Sequence, residues 1–482
     1  MTEDERRGRD TFAAVTRLEC AACGASPPAA EPYPFRCPSA EPGDDRDHVL
    51  VRRLTGAPCR FADPDATQPF IRYREGSHAW TRARAGGIPD AEFVAMVERL
   101  DSEIARVDGR GFVMTPFERH AALARRLGMD AGVVWVKDET RHVAGSHKAR
   151  HLFGIALHLE VSERLGLTSR AETDRRGLAI ASCGNAALAA AVIARAGGRP
   201  LDVFIPADAD AGVVARLETL GARIAVCARK PGVAGDPCVR AFHRAIAAGR
   251  LAFCVQGNEN GLAVEGAHAL AHEMAETLAR DQTPLDRVFV QVGGGALASA
   301  CAAGFHDALV RGLLPRAPKL HPVQTASAFP LRRAYERVRL DALARLGAHA
   351  AGGDDAALAD RLAAPGAHAA LRAAMAHARA HRSVYMWPVE SAPHSVAHGI
   401  LDDETYDWAA IIEAVLESGG WPVTVDEATL IEARELAQGS TTIRADATGT
   451  AGLAGLLALR RGGWVGAWES TAVVFTGIHR GE

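Results

Sequence analysis

From Gly177 the chain alternates short apolar runs with helical ones, and this alternation constrains its fold more than any other feature. Gly177 to Ala181 reads as a strand, passes through Ser182-Cys183-Gly184-Asn185, and gives way to a helix, Ala186 to Arg195, stopped by Gly197-Gly198. Leu201 to Pro206 is a second strand, a helix closes over Arg216 to Leu220, Gly221 turns the chain, and Arg223 to Val226 is a third strand. Farther on, Arg287 to Val292 leads into Gly293-Gly294-Gly295-Ala296 and a small-residue helix, Leu297 to Ala303, and a last strand, Thr471 to Phe475, ends in Thr476-Gly477. Such a pattern predicts an α/β chain with a parallel sheet and crossover helices, in which ligands bind at the carboxyl ends of the strands.

The remaining segments are less regular. Residues 1 to about 60 read as polar, proline-rich and irregular. Phe93, Met96, Val97, Leu100 and Ile104 predict an amphipathic helix over Asp90 to Val107, and a second helix is expected over His120 to Leu127. Residues 335 to 380, rich in alanine and arginine with Gly352-Gly353 in the middle, read as a helical surface insertion. Trp387 to His398 reads as loop, Val425 to Leu436 as an amphipathic helix, and Asp446 to Leu453 as the glycine-bearing opening of another helix.

Chemistry begins with Lys148. The chain has four lysines, at 137, 148, 230 and 319, so 51 of its 55 basic residues are arginines. Lys137 sits in an apolar strand-like run, while Lys230 and Lys319 stand in loop-like context. Lys148 follows Gly145-Ser146-His147 and opens a helical pattern, a junction where an amine can be held rigidly, desolvated and made nucleophilic toward a carbonyl. On its own the position is more often that of an ordinary N-terminal helix residue. The triple glycine before Leu297 can bring backbone N–H groups onto a phosphate at a helix N-terminus, or be a tight turn. It lacks the Gly-Lys-Ser/Thr of an ATP loop and the spacing of a dinucleotide site.

A net charge of −3 on 482 residues gives no basic field for nucleic acid, and 48% hydrophobic with 23% charged residues fits a globular protein able to bury a large core. The charged start MTEDERRGRD has no apolar run of a signal peptide, and Ala451 to Leu459 is far shorter than the ~20 residues a membrane helix needs. A cytoplasmic protein is expected, with its nine scattered cysteines reduced. Cys20-Ala-Ala-Cys23 has zinc-knuckle spacing, but Cys37 is followed by Pro-Ser-Ala, with His48 and Cys59 farther on. A structural zinc site takes four ligands, usually as two tight pairs; the second pair is missing, and no metal is assigned.

Together, the lysine after Gly-Ser-His, the Ser-Cys-Gly-Asn loop, the triple glycine and the terminal Thr-Gly occur in an order and spacing that resemble the fold type II pyridoxal-phosphate enzymes, the tryptophan synthase β-subunit class. The resemblance covers about residue 70 to the end and is nearest to threonine synthase. Phe70-Ile-Arg-Tyr73-Arg74 resembles its WRYR element, AGSHKAR its GSFKDR, HPVQTASAFPL its strand and following loop, and VVFTGIH its LTGHG end. The incomplete cysteine knuckle resembles a decayed form of the zinc-ribbon-like start of some threonine synthases.

The resemblance implies two open α/β lobes with parallel and mixed sheets and pyridoxal 5′-phosphate in the cleft between them. It implies an N-terminal extension over 1–108 and a catalytic core over 109–482, with a smaller lobe nested at about 149–240. Lys148 would hold the cofactor as a Schiff base and move the Cα proton, Asn185 would meet the phenolic oxygen, and Gly293, Gly294, Gly295 and Ala296 would bind the phosphate. Ser182, Cys183, Gly184 and Ala186 would line the substrate carboxylate, and Thr476, with Thr448 as the alternative, would face the pyridine nitrogen. A neutral hydroxyl there favours elimination or replacement over transamination. His147 stands where threonine synthases have Phe, Ala149 replaces Asp, and Cys183 and Ala186 replace hydroxyl residues. Threonine synthase-like chemistry on O-phosphohomoserine, with Arg141 and Arg150 as candidate phosphate-handling cations, is the first expectation, in a homodimer acting on a free amino acid. A serine/threonine dehydratase or diaminopropionate ammonia-lyase, a cysteine synthase-type replacement and a silent cofactor-binding relative are the alternatives.

Overall fold

The computed structural model describes residues 12–57, 59–229, 235–347, 354–389 and 393–480, so Lys230 and Gly352-Gly353 lie outside the described residues. Its strands in chain order are β1 (Thr16–Cys20), β2 (Leu50–Leu54), β3 (Phe117–Arg119), β4 (Val133–Asp138), β5 (Leu178–Ala181), β6 (Leu201–Pro206), β7 (Arg223–Cys227), β8 (Leu251–Ala252), β9 (Arg287–Gln291), β10 (Lys319–Thr325), β11 (Val423–Val425) and β12 (Ser470–Phe475). They form a large sheet in the order β11-β10-β9-β12-β4-β3, a small sheet in the order β7-β6-β5-β8, and the pair β1-β2. The small sheet is wholly parallel, and in the large one only β3 runs antiparallel, beside β4. The fold is the expected fold type II α/β architecture. The small sheet takes its fourth strand from beyond residue 240.

Central strands buried on both faces are near-continuously apolar, because helices cover both sides of a parallel sheet. VVWVKD of β4 and STAVVF of β12 follow this rule and pair in register from Val133↔Ser470 to Asp138↔Phe475. β9 pairs with the other side of β12, Phe289 opposite Val473. The loops after β4, β9 and β12, which carry Lys148, the triple glycine and Thr476, therefore leave the same edge of one sheet side by side.

Six helices matter for the site: α1 (Asp90–Asp108), α2 (Lys148–Arg164), α3 (Asn185–Ala196), α4 (His268–Arg280), α5 (Ala296–Val310) and α6 (Ala451–Arg461). The five apolar residues that predicted α1 are its buried stripe, and Gly109 ends it at φ 79°. Asn185, the first residue of α3, follows β5 of the small sheet and so faces the large-sheet loops across the cleft. No described helix is long and apolar enough to cross a membrane.

Four expectations are corrected. Residues 16–20 and 50–54 form an antiparallel strand pair inside the segment read as irregular. Val425 belongs to β11; the helix begins at Glu427, where the Asp426 carboxylate caps the Thr429 N–H at 2.8 Å. Asp446 to Thr450 form a turn, and α6 starts at Ala451. The helices Pro330–Arg345, Asp355–Ala363 and His368–Ala380 bury Tyr335, Val338, Leu362, Leu371 and Met375 in the main core, so this stretch is an integral layer and no surface insertion.

Candidate active site

Lys148 begins α2 directly after a tight turn in which Ala144 and Gly145 both have positive φ, 53° and 70°. The turn is fastened to the exit of β12: Ile478 N–H donates to Gly145 O at 2.9 Å, and His147 N–H donates to Thr476 Oγ1 at 3.2 Å. The Thr476 hydroxyl also pairs with His147 Nδ1 at 2.8 Å, while Arg480 donates to Ala144 O and Asn185 Oδ1. Thr448 lies on the adjoining turn, where its hydroxyl accepts from Gly399 N–H at 3.0 Å.

Two residues past Lys148, Arg150 anchors α2 from below. Its guanidinium donates to Glu139 just beyond β4 (2.9 and 3.0 Å) and to Glu273 of α4 (2.7 Å), and Glu273 also takes an ion pair from Lys137. All four charged side chains are fully buried, two cations against two anions. Arg150 is thus committed behind the site, and Arg141 is exposed beside Asp138, so neither expected cation reaches the cleft.

Of the described lysines, Lys137 pairs with Glu273 and Lys319 with Asp360, whereas Lys148 makes no hydrogen bond among the described residues. Burial pushes its pKa below the ordinary lysine value, and the carboxyls of Asp402 and Asp407 oppose that shift. Burial in turn raises both carboxyls, Asp407 to about 7. These two acids lie in the run Asp402-Asp-Glu-Thr-Tyr-Asp407, which sequence reasoning passed over: an acidic loop looks like a solvated surface until the chain folds it under the glycines. Arg480, near the end of the sequence, likewise carries no local signal of its contact with Asn185.

The glycines are explained by this acidic loop. A Cβ on Gly293 would press on the Ile400 backbone, on Gly294 it would meet the Tyr406 ring at 2.8 Å, and on Gly295 it would meet Ile411 at 2.7 Å and Thr405 at 2.9 Å. Gly295 caps α5 at φ 102°, so the first N–H groups of that fifteen-residue helix have no intrahelical partner, and the Asp402 carboxyl accepts from the Gly294 N–H just before it. Across the cleft, Ser182 Oγ accepts from Gly184 N–H at 3.4 Å and Asn185 Nδ2 approaches Gly477. Ala186 is buried; Cys183 is exposed as a residue, yet desolvation of its sulfur raises the thiol pKa and disfavours a thiolate. Ser146 Oγ, His147 Nε2 and Asp407 Oδ2 are buried with no hydrogen-bond partner among the described residues.

A half-buried amine with no hydrogen bond among the described residues, a glycine loop at a helix N-terminus and nearby unsatisfied polar atoms fit pyridoxal phosphate, and with two α/β lobes they define a fold type II enzyme of that cofactor. Residues 110–477 match the model of the pyridoxal-phosphate dependent enzyme family; the chain belongs to it, and its cofactor is pyridoxal 5′-phosphate. The chain is similar to a serine dehydratase-like protein of Rattus norvegicus, 32% identical over 191 residues that cover 40% of this chain and 51% of the relative. It thus spans about half the length of that relative. Its fold is similar to the processed form of threonine deaminase isoform 2 from Solanum lycopersicum (16% identity, TM-score 0.54, 81% of this chain and 90% of the other). It is also similar in fold to holo diaminopropionate ammonia lyase from Escherichia coli (16% identity, TM-score 0.53, 80% and 88%).

Proposed function

We propose that this chain is a pyridoxal-phosphate-dependent ammonia-lyase that eliminates the β-hydroxyl of serine or threonine, giving a 2-keto acid and ammonia. This replaces threonine synthase as the favoured activity, and the observation that carries it is the charge around Lys148. The carboxyls of Asp402 and Asp407 are the charges that act on the amine, while Arg150 is neutralised by Glu139 and Glu273. The dianion of O-phosphohomoserine would meet carboxyls there, and Arg480 already has two nitrogens committed to Asn185 and Ala144. The serine dehydratase-like relative supports the same choice.

Bound pyridoxal phosphate supplies the electron sink that lets an amino acid lose its Cα proton. Gly293, Gly294, Gly295 and Ala296 would hold the cofactor's phosphate, and Asn185, whose Oδ1 already accepts from Arg480, would offer Nδ2 to the phenolic oxygen. The backbone of Ser182, Cys183, Gly184 and Ala186 holds the substrate carboxylate at the N-terminus of α3. Either Thr448, whose hydroxyl accepts from Gly399 and keeps its own proton, or Thr476, whose hydroxyl is shared with His147, would meet the pyridine nitrogen. Lys148 Nζ takes the Cα proton, and its lowered pKa keeps a larger neutral fraction at working pH. Asp407, protonated below about 7, gives a proton to the departing hydroxyl, so water leaves as the Cβ–O bond breaks. Hydrolysis of the released enamine yields keto acid and ammonia.

A second substrate is favoured by the same two carboxyls: they suit an ammonium leaving group, as in 2,3-diaminopropionate. The test is to incubate the enzyme with serine, threonine, 2,3-diaminopropionate and O-phosphohomoserine and measure keto acid, ammonia and inorganic phosphate. Keto acid with one ammonia per hydroxy-amino acid, or two per diaminopropionate, is expected. Threonine and inorganic phosphate from O-phosphohomoserine would overturn the proposal.

A further inference from the structure

The N-terminal segment brings together four metal-ligating side chains that the cofactor site does not use. The ligand atoms of Cys20, Cys23, Cys37 and His48 all lie within 4.8 Å of one another. Cys20 closes β1, Cys23 follows it in a turn completed by Gly24 at φ 74°, Cys37 comes from the connecting loop, and His48 stands just before β2. The fourth ligand type, missing from the Cys-pair pattern, is thus supplied by a histidine 28 residues from Cys20.

Two of the ligand–ligand spacings match those of a tetrahedral zinc site. Zinc–sulfur bonds of about 2.3 Å and zinc–nitrogen bonds of about 2.0 Å place tetrahedral ligands at about 3.8 Å for S···S and about 3.5 Å for S···N. Cys23 Sγ and Cys37 Sγ are 3.6 Å apart, and Cys20 Sγ and His48 Nδ1 are 3.4 Å apart. A disulfide would need about 2.05 Å. His48 turns Nδ1 to the sulfurs because Nε2 is held by Asp44 Oδ2 at 2.9 Å, the carboxylate–histidine arrangement that orients a metal-bound imidazole. Ser39 N–H points at Cys37 Sγ at 3.4 Å, a donor suited to a thiolate.

We propose that Cys20, Cys23, Cys37 and His48 bind one zinc ion as a structural site. Three thiolates and an imidazole select zinc over harder divalent ions, and four protein ligands leave no open coordination position for catalysis. The need for the ion is local. Among the described residues the apolar cluster at this point buries Cys20, Cys37 and Leu50, with Ala22, Cys23 and Ala25 partly buried against it, a small core to order a long loop against its conformational entropy. That loop nevertheless makes specific contacts outward. Asp45 O accepts from Arg382 N–H at 2.8 Å, Asp45 Oδ2 accepts from Ser383 Oγ at 3.0 Å, and Asp47 N–H donates to Arg379 O at 2.8 Å. The ion therefore seats the loop against the segment that continues to Asp402 and Asp407.

The test is metal content of the purified holoprotein from zinc-supplemented culture, together with X-ray absorption at the zinc edge, neither of which depends on activity or substrate. One zinc per chain with a shell of three sulfurs and one nitrogen is expected. Cys37→Ser and His48→Ala should lose the ion, Asp44→Asn should weaken it about 10- to 100-fold, and Cys59→Ser, outside the cluster, should keep it. Wild-type protein without zinc and with the cluster thiols freely titratable would overturn the proposal, as would a zinc shell lacking sulfur. If the ligand variants fail to fold, the wild-type shell alone decides.

Discussion

Glu273→Gln tests how the lysine is held. Glu273 accepts from Arg150 Nη1 at 2.7 Å, from Thr115 N–H at 3.0 Å and from Lys137, and every charged partner is fully buried. The quartet carries two positive and two negative charges; the substitution removes one negative charge and leaves a net positive charge with no water to solvate it. Removing one partner of a buried ion pair costs about 3–5 kcal/mol, and the cost should fall in that range because Glu139 remains to share both cations. Arg150 is one half-turn from Lys148, so the lysine should shift as well. Urea unfolding with and without cofactor measures the first effect, and visible absorbance of the lysine-bound cofactor the second. Lys137→Met combined with Glu273→Gln restores neutrality and should recover about 1–3 kcal/mol of the single-variant loss. A Glu273→Gln loss below about 1 kcal/mol, within the range of an exposed pair, or a double variant no more stable than the single, would refute the reasoning.

Other consequences are equally concrete. Gly295→Ala forces a side chain into φ 102° and against Ile411 and Thr405; it should lower cofactor affinity, read by equilibrium dialysis, with a structural cost of about 1–3 kcal/mol. Asn185→Ala should reduce kcat about 10- to 100-fold, the scale of one hydrogen bond to a charged group, with KM for the amino acid little changed. Asp402→Asn removes a carboxyl that holds the Lys148 pKa up, so the acid limb of the kcat/KM profile should move to lower pH. Stability should fall on acidification below pH 6.5. His78 and His151 are held down to about 3 and His142, His147, His158, His268 and His321 well below the ordinary value, all by burial. Their unfolded forms take protons that the folded forms refuse, so stability present above 6.5 is lost as pH drops. Glu265 and Asp407, raised to about 7, and Asp446, raised to about 6, act in the opposite sense, as do Asp47, Asp101, Asp108, Asp402, Asp403 and Glu417, which burial also raises; the histidines dominate from 6.5 to about 5 because an ordinary carboxyl titrates below that range. A thermal midpoint that is flat or rises from pH 6.5 to about 5 would contradict this.

Much of the core was legible because local pattern and tertiary role coincide there. Leu201–Pro206 was read to the residue since its alternation matches its half-buried position, and the Gly197-Gly198 stop agrees with α3 ending at Ala196. The alanine-rich helices were misplaced because alanine marks neither surface nor core. The stripe Leu371, Ala374, Met375 and Ala378 has helical spacing and is buried, but its small residues conceal it. Val425 went astray because a three-residue edge strand is too short to show a period. Asp402 and Asp407 carry no local signal, because their effect on Lys148 arises where distant loops meet, and His48, visible beyond the cysteines, stands 28 residues from Cys20, a separation that spacing along the chain cannot pair.

The most direct test of the central claim is borohydride reduction of the holoenzyme followed by peptide mass spectrometry, with Lys148→Ala in parallel. The cofactor should be recovered on Lys148 alone, and the variant should retain no reducible cofactor and form no keto acid from serine or threonine. Attachment at Lys137, Lys230 or Lys319, or undiminished keto acid from the variant, would contradict the account.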